Sequence, residues 1–227
     1  MYLDINSDLL GRQIESRFAG IYKESNDSLL KASIDEDFYL DLLCVFNDPE
    51  RFEASDFINY SLTSILLYLK KTHDLYTSKS LHEVESAIAD LSKKDSHLLK
   101  LQLSLQRFFS NFQMELEAHI KVEEDKLFPY IETLLFAKDQ NSLSNVSNQE
   151  LSLKGFLEHH NDHLEKDLNN LVNSLKELSK KYKDSFAFRM LVNKIFMFEL
   201  DLRIHGKIEE EVLIPKAILL EEKLLNH

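Results

Sequence analysis

The chain has one cysteine, four glycines and three prolines in 227 residues. A lone thiol, Cys44, excludes an internal disulfide and any cysteine-based zinc or iron–sulfur site. So little glycine and proline leaves scant material for the many tight turns of an all-β fold. No apolar run approaches the length of a membrane span, and the opening MYLDINSDLL lacks the basic and apolar regions of a secretory signal. A cytoplasmic location without a membrane partner is therefore expected. Positive charge is short as well. The formal net charge is −12, and no basic stripe is present to meet a phosphate backbone, so no nucleic-acid partner is expected. Cys44 stands among apolar neighbours in FYLDLLCVFN, which predicts a buried filler rather than a nucleophile.

Leu, Lys, Glu, Ser and Asp dominate what is there, with apolar residues at three- and four-residue steps, so the expected fold class is all-α. Residues 1–55 read as a small N-terminal helical segment, closed by the breaker-rich NDPERFEAS. Residues 56–227 hold the rest. A helix capped by Ser55 or Asp56 should run to about Leu91. A second carries LLKLQLSLQRFFSNFQMELEAHIKVEEDKLFPYIETLLF, with a kink or break expected at Pro129. The polar DQNSLSNVSNQE connects to a third helix through FLEHHNDHLEKDL, and a fourth runs from Phe186 past Pro215. Four long helices in two antiparallel hairpins close most naturally as a four-helix bundle.

One stretch occurs twice. From His119 the chain reads HIKVEEDKLFP, and from His205 it reads HGKIEEEVLIP, an ungapped match at an offset of 86 residues. In each copy a Glu follows the His by four residues, Glu123 and Glu209. On a helix this spacing puts imidazole and carboxylate on one face, one turn apart. A single such pair is usually a solvated ion pair. Two copies in matching contexts point instead to metal ligation.

The first helix of each repeat offers another imidazole. His73 precedes His119 by 46 residues; His159, His160 and His163 precede His205 by 46, 45 and 42. One residue is about 1.5 Å along a helix axis, so the spacing admits His159 or His160 and disfavours His163. His73 is followed by Asp74 and His160 by Asn161, which favours His160 and keeps His159 as the alternative. The candidate ligands are then His73, His119, Glu123, His160, His205 and Glu209. Two imidazoles per metal and two bridging carboxylates describe a di-metal centre, with room for one oxo or hydroxo bridge and a small exogenous ligand. Iron suits this set and manganese is possible; zinc would fill it without redox chemistry. His82, His97 and His227 fall near turns or the terminus and are expected to be exposed.

The pieces YLKKTHDLY, EAHIKVEEDKLFPYIE, FLEHHNDH and LRIHGKIEEEVLIPKA resemble the hemerythrin-like HHE cation-binding family, most of all its repair-of-iron-centres, or iron–sulfur cluster repair, branch. The resemblance covers roughly residues 56–220. It implies a hemerythrin-like four-helix bundle holding two iron ions, with His73, His119, His160 and His205 as terminal ligands and Glu123 and Glu209 as bridges. It further implies a role in nitrosative or oxidative stress, with damaged iron–sulfur proteins as clients and a small diatomic molecule, O2 or NO, as ligand. An O2- or NO-binding or sensing module without repair activity is the alternative. Many members begin with a helical module bearing a Cys pair; residues 1–55 lack it.

Overall fold

The computed structural model describes residues 36–93, 96–140, 153–159 and 163–225. These residues are all-α, and no strand occurs among them. Helix α1 covers Glu36–Asn47, followed by a 3-10 turn at Pro49–Arg51 and the single turn α2, Ala54–Phe57. Helix α3, Leu62–Leu75, passes through a π-helical turn at Tyr76–Ser80 into α4, Leu81–Asp90. A 3-10 turn at Ser96–Leu98 opens α5, Leu99–Val122, which continues through a second π turn, Glu123–Leu127, into α6, Phe128–Gln140. Then come α7, Leu153–His159, and α8, His163–Ser179. Helix α9, Phe186–Ile208, meets a third π turn, Glu209–Leu213, and ends in α10, Ile214–Leu225. No described helix is long and apolar enough to cross a membrane.

Side-chain caps set two of the starts. The Ser61 hydroxyl accepts the Ser64 N–H at 3.0 Å and its carbonyl accepts the Ile65 N–H at 3.2 Å. Ser185 serves α9 in the same way, toward Phe188 and Arg189. The first long helix therefore begins after Ser61, not at Ser55 or Asp56. The buried Phe57 and Tyr60 mimic helical spacing across the intervening turn, which is why the apolar pattern reads as one helix.

The described residues gather into two compact units. One takes 73–119 and 163–203. Its core is built from single stripes: Leu105, Phe109, Phe112 and Leu116 on α5, and Leu164, Leu168, Val172 and Leu175 on α8. Phe198 receives Tyr76 and Phe112 edge-on, with ring centroids 5.4 and 6.1 Å away. Lys194 pairs with Glu83 at 2.9 Å between α9 and α4.

The other unit takes 36–72, 120–159 and 204–225. Here Phe38 of α1 is fully buried and meets the rings of Phe57, Tyr60 and Tyr68 at 5.1–5.9 Å. The Tyr60 hydroxyl donates to Asp41 at 2.5 Å. So the segment from Glu36 onward packs on the residues that follow the NDPERFEAS break. Helix α10 lies against α6 and α7. The Tyr130 hydroxyl donates to Glu221 and Lys154 pairs with Glu222 at 2.8 Å. Burial and the Glu221 carboxylate together push the Tyr130 hydroxyl well above its ordinary pKa.

Cys44 is exposed, which corrects the expectation of a buried filler. The buried face of α1 is Phe38, Leu42, Val45 and Phe46, and a residue two places after Leu42 falls about 200° around the helix from it. The apolar run is simply longer than one helix face can hide.

Two outcomes are expected. Phe38→Ala should cost about 3–5 kcal/mol of unfolding free energy, read from denaturant midpoints at unchanged m-value. Cys44 should react with a thiol-specific chromogenic reagent in the native protein at nearly the rate seen in denaturant; complete protection would contradict its placement.

Candidate metal centre

Three described helices lead to the candidate ligands other than His160, and each passes into a π turn beside them. On α3, His73 is buried, and the turn that follows begins at Tyr76, three residues on. Thr77 donates its hydroxyl to the His73 carbonyl at 3.0 Å, and Ser78 donates to the Asp74 carbonyl at 2.5 Å. On α5, His119 is half-buried and Glu123, the first residue of the second π turn, is fully buried. On α9, His205 is buried and Glu209, first residue of the third π turn, is 1 % exposed. The interruption expected at Pro129 thus takes the form of a π turn just before the proline, and the 86-residue repeat carries it to Pro215 as well.

His73, Glu123 and His205 converge. Each offers one ligand atom, and the three atoms lie within 4.8 Å of one another. Two ligand atoms on opposite sides of one ion, each about 2.1 Å from it, stand about 4.2 Å apart. Separations of this order are compatible with ligands of a single ion. Two imidazoles and a carboxylate fit a divalent first-row metal and leave coordination positions open. This group could hold a metal ion; the donor set alone does not select which one.

The other candidates stand as follows. Glu209 adjoins the trio through His205, with Oε2 3.4 Å from Nε2. His119 lies one turn before Glu123 and is not part of the trio. His160 lies outside the described residues. His159 ends α7 and His163 opens α8; their side chains also lie outside the described set. His82 and His97 are exposed as expected, and His227 is outside the described residues.

Two acids escaped the sequence reading. Glu199 and Asp201 are 6 % and 3 % exposed on α9. Their signal was present: they are the acids inside the apolar run IFMFELDLRI, where alternation cannot keep both in water. Burial raises the Glu199 carboxyl above its ordinary pKa, against the opposing pull of Arg203, whose Nε donates to it at 3.2 Å.

Comparison with family models, with curated proteins and with solved structures finds no significant match to this chain.

The Glu199 shift has a definite sign. A carboxyl with a raised folded-state pKa binds more protons folded than unfolded in the window above about 4.5, so stability falls as pH rises through that window. Glu199→Gln should remove this component and flatten the stability–pH curve above pH 4.5, as measured by urea unfolding at stepped pH. An unchanged curve would mean that the carboxyl is not held up by burial.

Proposed function

We propose that the chain is a hemerythrin-like non-haem di-iron protein of the iron–sulfur cluster repair type, acting under nitrosative or oxidative stress. The observation that carries this reading is the buried convergence of His73, Glu123 and His205. These are three of the six residues on which the duplicated motif and its resemblance depend. An imidazole–carboxylate set in an apolar interior has poor prospects as a solvated ion-pair network, because charges there are costly without a compensating one.

In this reading His73, His205 and Glu123 hold one ion. Glu209, beside His205, extends the set toward a second ion, and His119 and His160 complete it. Iron bound there supplies one-electron redox chemistry and affinity for small diatomic molecules. The chain supplies the rest. Burial of His73, Glu123, His205 and Glu209 keeps these ligands from bulk water, which restricts what reaches them to small molecules. The Thr77 hydroxyl bond to the His73 carbonyl stiffens the backbone that carries that imidazole.

A second reading, reversible O2 or NO binding or sensing without repair, is favoured by the thiol content. Cys44 is the only cysteine, so no step that requires a thiol pair on this chain is available. Reactivation of an enzyme with a damaged [4Fe–4S] cluster separates the two: repair needs the parent and fails with Glu209→Gln, whereas a sensor leaves the client inactive throughout.

The prior question is the metal. Anaerobic loading with ferrous iron should leave about two irons per chain, measured by elemental analysis, with His73→Ala, His205→Ala and Glu123→Gln each losing most of it. A parent chain that retains no iron would sink both readings.

A further inference from the structure

Two of the three π turns among the described residues begin at a candidate carboxylate ligand, and each is followed by a proline at the same step. Glu123–Leu127 precedes Pro129, and Glu209–Leu213 precedes Pro215. In each, the residue after the turn closes the wide ring back to the Glu carbonyl: the Phe128 N–H bonds the Glu123 carbonyl, and the Ile214 N–H bonds the Glu209 carbonyl. The same residue is thus the backbone anchor of the turn and the bearer of the carboxylate.

Proline explains why the turn is there. It has no N–H to give, and its ring clashes with the carbonyl four residues back, here Asp125 and Glu211. A regular α turn across those residues is closed to the chain, whereas a π turn lets the helix continue. Core packing does not explain the prolines, since Pro129 is exposed and Pro215 only half-buried. Nor are they helix starters here, because the helix runs unbroken from the π turn through both.

We propose that Pro129 and Pro215 are positioning residues: by enforcing the π turns they fix the backbone pitch at Glu123 and Glu209, and so the aim of both carboxylates at the metal. This inference rests on the metal-centre reading above. Without the ring, the Leu127 N–H would take the Glu123 carbonyl in an α turn, and Leu213 would do the same for Glu209. Either change re-pitches the ligand-bearing residue while leaving the helix intact. A residue that acts only by orienting a ligand typically governs metal affinity by about 10–100-fold.

The test uses the full chain and Pro129→Ala/Pro215→Ala. Alanine is the best helix former, so the metal-free double variant should keep its helicity and melt no lower than the parent. Titration with ferrous iron under anaerobic conditions should then show binding weakened about tenfold or more. Lys126→Ala, an exposed change within the same π turn, should bind as the parent does. The single variants Pro129→Ala and Pro215→Ala, each expected to weaken binding less, keep the comparison available should the double variant fold poorly. Parent-like iron binding in the proline variants overturns the assignment alone. No iron on the parent removes the metal centre and this inference with it.

Discussion

Carboxylates carried into an apolar interior set the terms for this structure. Glu123 and Glu209 are 0 % and 1 % exposed, and each ion taken from water costs several kcal/mol before any partner compensates. Two imidazoles, His73 and His205, are buried with them. A chain that needed only a stable helical core would fill such positions with leucine, as it does elsewhere along the same helices. Retaining ionisable groups there is intelligible if a cation compensates for their burial. A divalent ion shared by His73, Glu123 and His205 would convert the desolvation penalty into coordination, and folding stability would then depend on metal.

The same constraint shapes the backbone. Every π turn among the described residues lies at or just beyond a candidate ligand, at Tyr76, Glu123 and Glu209. Two are imposed by a proline. The third has none, and there the Thr77 and Ser78 hydroxyls donate to the His73 and Asp74 carbonyls. Side-chain hydroxyls that donate to carbonyls of the preceding turn are known to perturb the α ladder. The same hydroxyl-to-carbonyl bond occurs within regular α-helix at Ser104, Thr133 and Ser174, so it accompanies the third wide turn without accounting for it. The three turns share their placement beside a candidate ligand, and two of them share a following proline.

Much of this was legible in the sequence, and the failures have physical causes. The ungapped repeat from His119 and His205 could be read directly, because ligand spacing and proline act within about three helical turns. The all-α class followed from composition and period. Where a start signal depended on choosing among Ser55, Asp56 and Ser61, pattern alone misled, since Phe57 and Tyr60 keep helical spacing through a turn. Cys44 was misplaced for the complementary reason: apolar neighbours say that a helix is near the core, not which side of it each residue takes. Glu199 and Asp201 were overlooked because an acid in a helix is ordinarily solvated, and only the density of the surrounding apolar run contradicts that default.

Burial of those two acids bears on how the centre is supported. Asp201 stands one helical turn before His205 on α9, and Glu199 one and a half turns before it, the latter tied to Arg203. The helix that presents His205 and Glu209 thus carries four ionisable groups at or below 6 % exposure within three turns. An apolar helix would have been more stable and easier to fold. Such accumulation is expected where stability is given up for chemistry, because groups that bind or tune a metal must be held dry and in place whatever they cost the metal-free chain. It also follows that the metal-free chain should yield first along α9, at the level of its buried acids, rather than in the aromatic cluster around Phe38, where the carboxylate at hand, Asp41, is only half-buried and bonded to Tyr60.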